Sequence, residues 1–291
     1  MGYWARGESP SSDHLFAPPE MSGLRRSQQG MALFLLLILG LTIGASLFLS
    51  TWNRSAPRLA QEKASQLSLL QAKQALIAYA VSVYPAGNVR PGDLPCPDTN
   101  NDGKKENACG NASGSSGQAA RLGRLPWRSL GLPDLRDGSG ERLWYAVSNN
   151  FKENSRHLPL NSDTTGSIRV VDSGGNLIPD VIAVIFAPGP PLQRLNAGAV
   201  QNRTPAGENV AANYLDETST EDNADFVDYG ANGFADGIVR DAQGRILVND
   251  TLLTITSADL IPLLEKKVAA TVLKCLEDFA GFTLGTTNNQ G

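Results

Sequence analysis

Met31 to Ser50 carries no charged residue, and its polar members Thr42, Ser46 and Ser50 are small. At about 1.5 Å rise per residue, these twenty residues reach across the roughly 30 Å hydrocarbon core of a bilayer. A backbone inside lipid must satisfy its own amides, so the segment is expected to be helical. Arg25 and Arg26 precede it, and the next basic residue is Arg54. Basic flanks stay on the cytoplasmic side, which places the long C-terminal part across the membrane. A cleaved secretory signal has a shorter apolar core, about 7–15 residues, ending at small residues. Here Gly40, Gly44, Ala45 and Ser46 lie inside the run. A plain uncleaved anchor explains length and orientation equally well. The expected layout is a cytoplasmic leader over 1–30, with Met21 as an alternative start, and a transmembrane helix over 31–53.

A helix is expected to continue over 54–84, with a break around 55–57 where Pro57 suits a first turn. Leu59, Leu67, Leu70, Ala75, Leu76, Tyr79 and Ala80 recur at three- and four-residue spacing, which marks an amphipathic face. A simple juxtamembrane stalk has the same periodicity.

About 205 residues follow, enough for one sizeable core or two small ones. Scattered glycine and proline favour short strands and many turns. Strands are expected over 143–147, 168–171, 181–186, 238–240, 245–248 and 252–255. Asp241-Ala242-Gln243-Gly244 is the expected hairpin turn between two of them. Residues 187–237 are polar and acidic, and read as a long irregular surface excursion. Thr256 to Asp259 suggests a capping box, after which Leu260, Leu263, Leu264, Val268, Val272, Leu273, Leu276 and Phe279 share one helical face before Gly281. The fold class is therefore α+β: a long N-terminal membrane-spanning helix packed on a domain of short antiparallel strands, with a further C-terminal helix.

There are three cysteines. In an oxidising compartment Cys96 and Cys109, twelve residues apart in the loop they flank, are the economical pair, with Cys275 open as an alternative partner of either. If it pairs with neither, Cys275 is expected to be a buried thiol on the apolar helix face. Between Cys96 and Cys109, Asp98-Thr99-Asn100-Asn101-Asp102-Gly103 fits the first half of a calcium loop. Asp98, Asn100 and Asp102 would offer side-chain oxygens, Lys104 its carbonyl and Glu106 a further carboxylate. The twelfth position is Cys109 where a closing glutamate normally stands. A polar turn that merely tolerates left-handed backbone is the competing reading.

The junction Arg25-Arg26-Ser27-Gln28-Gln29-Gly30 followed by Met31-Ala32-Leu33 resembles the leader of type IV prepilins and type II secretion pseudopilins. In that family an inner-membrane prepilin peptidase cuts after a glycine and the new N-terminus is methylated. The resemblance implies processing between Gly30 and Met31, a ten-residue leader counted from Met21, and assembly with other pilins through the N-terminal helix. Leu35 stands at the fifth mature position, where major pilins carry glutamate, which points to a minor or tip subunit rather than a bulk one. Residues 123–147 are similar in kind to pilin-like proteins through Leu125-Pro126-Trp127, Asp137-Gly138 and Trp144-Tyr145. Trp127, Trp144 and Tyr145 read as core anchors.

Only two histidines occur, His14 and His157. No G-x-S-x-G, C-x-x-C or H-E-x-x-H pattern is present, and Ser113 to Gly117 reads as a loop. The carboxylates Asp216, Glu217, Glu221, Asp222, Asp225 and Asp228 read as a solvated acidic loop. Net charge −4 argues against nonspecific nucleic-acid binding. The sequence therefore predicts a structural, non-enzymatic minor pilin or pseudopilin, single-pass in a bacterial inner membrane, with lipid, prepilin peptidase and other subunits as partners. The rival reading is a membrane-anchored periplasmic binding protein or hydrolase with an uncleaved anchor.

Overall fold

A computed structural model describes residues 24–82, 90–110, 121–153, 160–195, 198–226, 230 and 232–287, and, within these, the side chains of 24–29, 49–56 and 282–287 are not described. His14, His157, Ser113 to Gly117, Asp228, the Met21 start and the helix end near Tyr84 lie outside the described residues. The chain divides into Met1–Pro57 and Arg58–Gly291.

In the first unit, helix α1 (Leu24–Ser82) begins, and its assignment runs on through Pro57, where the sequence suggested a break. Gly30–Phe48 is a helical stretch of 19 residues, none of them buried, that is long and apolar enough to cross a membrane. With no charge and no β-sheet partner, a helix is the one way this stretch satisfies its own backbone.

The second unit is an α+β domain built on one curled sheet. Its strands are β1 (Leu122–Arg124), β2 (Trp144–Val147), β3 (Ile168–Val171), β4 (Leu177–Ala187), β5 (Phe234–Ala235) and β8 (Thr251–Thr256). A separate hairpin pairs β6 (Val239–Arg240) with β7 (Ile246–Val248). The chain then enters helix α2 (Ser257–Thr287). All six strands expected from the sequence form, within a residue or a few of the expected ends. In the hairpin, Gly244 adopts φ +81°, and its amide donates to Asp241 O at 3.0 Å.

Strand β4 is the organiser. Over Ala183–Phe186 it is flanked by β2 and by β8, both antiparallel, and its N-terminal part pairs with β3. Val181 to Ala187 are all buried, as a continuous apolar strand covered on both faces should be. An extra residue on β4 shifts the β3 register between Ile168 and Val170. Asp180 sits there at φ +58°, a bulge conformation rare for a residue with a Cβ. Its carboxylate accepts the Gly166 amide at 2.6 Å and the Ser257 hydroxyl, so one side chain fixes the approach to β3 and the start of α2.

Each face of the sheet has its own core. On one, Tyr145, Val147, Ala183, Ile185 and Ile255 meet Leu69, Ala72, Leu76 and Ala80 of α1 and Leu260 and Ile261 of α2. The expected stripe of α1 holds only in its C-terminal half: Leu76 and Ala80 are fully buried and Ala75 and Tyr79 half-buried, whereas Leu59, Leu67 and Leu70 are exposed and Leu69 and Ala72 are buried in their place. The helix carries leucines on more than one side, and only Leu69 and Leu76 join the core. On the opposite face, Trp144, Ala146, Val184 and Phe186 pack against Leu215, Phe226 and Phe234.

That second core corrects the expectation for 187–237. The segment has little regular structure beyond short 3-10 turns and β5, yet it is not a surface excursion: Ala211, Leu215 and Phe234 are fully buried. Phe234 lies edge-on to Phe186 and near Phe226, with centroids 4.8 and 5.0 Å away. Its polar composition hides three large apolar anchors that a sheet face requires.

Candidate functional site

Four places hold residues that composition or burial singles out. The first is the N-terminal segment. Gly30 and Met31 lie within helical backbone, and Met31 is 68% exposed. Side chains from Leu33 to Phe48 project outward all around the helix. Nothing lies within 4 Å of where a Cβ on Gly40 or Gly44 would stand, so this small-residue strip is open to a close neighbour.

The second is the cysteine loop. Cys96 and Cys109 form a disulfide, both sulfurs inside the first core. Cys275, expected to be a buried thiol if unpaired, is free and exposed. Its helix leaves the domain before reaching it, so no surface is there to bury the apolar face. Between the bridged cysteines the loop folds on itself. Asp98 is buried, and its carboxylate accepts the amides of Asn100 at 3.1 Å, Asn101 at 2.7 Å and Gly103 at 2.7 Å. Burial pushes the Asp98 carboxyl up, and these three amides pull it back down. Asn100 and Asp102 are exposed, each accepting the amide two residues on, at Asp102 and Lys104. Glu106 accepts from the Thr99 hydroxyl at 2.9 Å. Asn101 and Gly103 adopt φ of +65° and +83°, and the Trp127 ring fills the space a Gly103 side chain would need. Among the described residues, no group of three or more His, Cys, Asp and Glu side chains is gathered for a metal ion. The loop is tied to its surroundings by Lys105, paired with buried Glu153, which also accepts from Tyr79 of α1.

The third is the acidic segment. Asp216 is fully buried and Glu217 and Glu221 are 7% exposed, so the solvated reading of these carboxylates fails. They are sheltered because they bind the segment to itself. Arg194 donates to Glu217 at 2.8 Å and to Asp222 at 2.6 Å, and Arg169 pairs with Glu221. Asp216 accepts from Gln201 at 2.9 Å and from the Asn249 amide at 2.8 Å. Buried Asp250 accepts the Asp216 amide and the Asn223 side chain, both at 2.8 Å. Burial pushes the Asp216 carboxyl up to about 6, and burial plus the Asp216 charge raise Asp250. Arg194, Gln201, Asn213 and Asp222 border an open cleft of about 500 Å³. The carboxylates there are engaged with arginines and amides, which makes them scaffolding for an irregular segment. Asp250 escaped the sequence reading because the sequence shows an acid beside a strand and not the carboxylate across from it.

The fourth is an apolar groove of about 610 Å³ between α1 (Ile77, Ala78, Val81) and α2 (Leu263, Ala270), edged by Lys266 and Lys267.

Trp144 and Tyr145 are buried, as expected of core anchors, and Trp127 is half-buried on the cysteine loop. Arg124 stacks on Trp144 and Tyr214, 4.4 and 4.0 Å from their ring centroids, and ties the acidic segment to β1. The α+β domain with a free apolar N-terminal helix is as far as the fold itself carries classification. No family model matches the chain, and neither the curated proteins nor the solved structures give a match.

Proposed function

We infer that this chain is a minor pilin- or pseudopilin-like subunit, anchored through its N-terminal helix in a bacterial inner membrane with the Arg58–Gly291 domain on the periplasmic side. One observation carries the reading: Gly30–Phe48 is apolar on every side and wholly exposed. Such a surface requires lipid, or a bundle of like helices, around it. The basic pair before it supports the orientation, and the Cys96–Cys109 bridge suits an oxidising compartment. Leu35 at the fifth mature position supports a priming or tip role. Function is mechanical: the leader is removed, and the freed helix packs with those of other subunits, the Gly40/Gly44 strip allowing close approach.

Intact-mass and N-terminal analysis of the protein from cells is the test. The expected product begins at N-methylated Met31, and Gly30→Ala is expected to leave the leader attached, because a side chain obstructs the protease at the cut. A mature chain that begins at residue 1 or 21 rejects the reading and favours the anchored binding protein or hydrolase.

Calcium belongs to the same proposal, as ligand of the Asp98, Asn100, Asp102, Lys104 and Glu106 loop. Gly103 already makes the left-handed turn that the sixth position of such a loop needs. Calorimetric titration of the full chain in detergent is expected to give calcium-dependent heat and a raised melting temperature, both diminished in Asp102→Ala. Absence of heat removes calcium and leaves the pilin reading intact.

A further inference from the structure

Helices α1 and α2 leave a groove between them whose walls are fixed by the first core. Leu76 and Ala80 hold one wall, and Leu260, Ile261 and Leu264 hold the other, all of them buried. Ile77, Ala78 and Val81, spaced by one, three and four, line the groove from α1. Leu263, Lys266, Lys267 and Ala270 have the same kind of spacing and line it from α2. Leu263 is 46% exposed, and Ala78 and Ala270 are exposed too, so the apolar floor lies open. Among the described residues no acidic side chain lines the groove, and Gln74 is its one other polar group. Among the described residues neither Lys266 nor Lys267 has an ion pair. Glu265, their neighbour in sequence, accepts from the Ser162 hydroxyl at 2.9 Å, and Asp259 is taken by Lys73. The result is an apolar trough with two uncompensated positive charges on one wall.

We propose that this groove binds a free single-chain amphiphile with an anionic head, of the fatty-acid class. Its chain lies along Ile77, Val81 and Leu263, and its carboxylate sits at Lys266 and Lys267. Size favours a small ligand. The lining spans 74–81 and 263–270, about two turns or roughly 10 Å of each helix. That is short for a docked helix, because a stable protein interface buries at least about 1,000 Å². The groove volume of about 610 Å³ falls inside the range of roughly 300–1,000 Å³ typical of small-ligand sites, which are likewise mostly apolar with a few polar groups. Charge selects the head. The lysine stems extend the apolar wall while their ammonium groups stay in water, where a carboxylate at the groove's edge meets them. A bilayer surface is a poorer source of the same chemistry. Helices that lie on lipid carry Lys- or Arg-rich polar faces, and beyond the groove α2 adds Glu277 and Asp278 to Lys274. The inference does not depend on whether Gly30 is processed.

The test is photolabelling of the full chain in phosphatidylcholine nanodiscs with a diazirine analogue of laurate, mapped by peptide mass spectrometry. Label is expected in the peptides that hold 74–81 and 263–270, and in Gly30–Phe48 from probe dissolved in the bilayer. Excess laurate is expected to clear the groove label, and dodecylammonium at the same concentration to leave it in place. K266E/K267E takes away two exposed ion contacts, each worth a few-fold, and adds repulsion, so its groove label is expected to fall about tenfold with the Gly30–Phe48 label unchanged. K266R/K267R is expected to keep the label. A270F fills the trough at an exposed position and is expected to remove it. Absence of groove label in the parent overturns the proposal. So does label cleared equally by dodecylammonium, label indifferent to K266E/K267E, or groove label that comes as readily from a diazirine phosphatidylglycerol in the disc and is not displaced by laurate. Groove label without Gly30–Phe48 label supports the proposal and rejects the bilayer anchor.

Discussion

Replacing Cys96 and Cys109 together by alanine is expected to remove about 3 kcal/mol of stability and lower the melting temperature by roughly 10 °C. The bridge closes a loop over a sequence separation of 13, and much of the effect lies in the unfolded chain, which regains the freedom of that loop. In the folded state both residues belong to the core beneath α1, so the variant also loses packing there. The 98–106 loop retains its own hydrogen bonds to Asp98, and Lys105 remains paired with Glu153. The lesion should therefore appear as lower stability of an intact fold. Near-UV circular dichroism of the chain in detergent, melted with and without reductant, measures it. A melt unmoved by reductant in the parent would show that the bridge contributes nothing.

The second large effect is on pH. Asp216 and Asp250 are both raised by burial, and Asp250 further by its neighbour's charge. The folded protein therefore holds protons that the unfolded chain has already released above about pH 4. The stability they contribute is complete below that value and is lost as pH rises through the folded value, about 6 for Asp216. A rise of that size corresponds to something on the order of 3 kcal/mol. Against their burial, Asp134 is shifted the other way by Arg142 and Arg136, and Asp259 by the Thr256 amide and then Lys73, and their contributions disappear only as the pH falls below the ordinary carboxylate range. The melting temperature is expected to be highest near pH 5 and to fall toward pH 7.5. Asp250→Asn removes one of the two buried charges and is expected to flatten that fall and raise the melt at pH 7.5. A melt that climbs between pH 5 and 7.5 would reject this account.

The sequence revealed the parts of the fold that announce themselves locally. Val181 to Phe186 is a run of apolar residues with no other use than a covered strand, and Asp241 to Gly244 is a turn by its own chemistry. Strands Leu122–Arg124 and Phe234–Ala235 were beyond reach, because two or three residues carry no period. The 187–237 segment misled for a physical reason. Its carboxylates look solvated until Arg194, Arg169 and the Asn249 amide are placed against them, and those partners are distant in the chain or carry no signature. Periodicity showed that α1 and α2 have apolar stripes. It could not show which stripe is covered, as the exposure of Leu67, Leu70 and Cys275 makes plain. The candidate sites divide the same way: the bridge and the loop turn were legible as local chemistry, and the Asp216–Asp250 pair was not.

The position of β4 has a consequence for biogenesis. Residues 177–187 leave the ribosome with β2 and β3 already made, but their other partner, β8, begins only at Thr251. At about 5–20 residues per second, a ribosome leaves that strand edge unpaired for several seconds. During that interval seven consecutive apolar residues, Val181 to Ala187, present bare amides and carbonyls to any other nascent chain nearby. A holdase that covers this edge until the C-terminal strand arrives would raise the yield of soluble protein, and chains cut short before Thr251 should be the ones that aggregate.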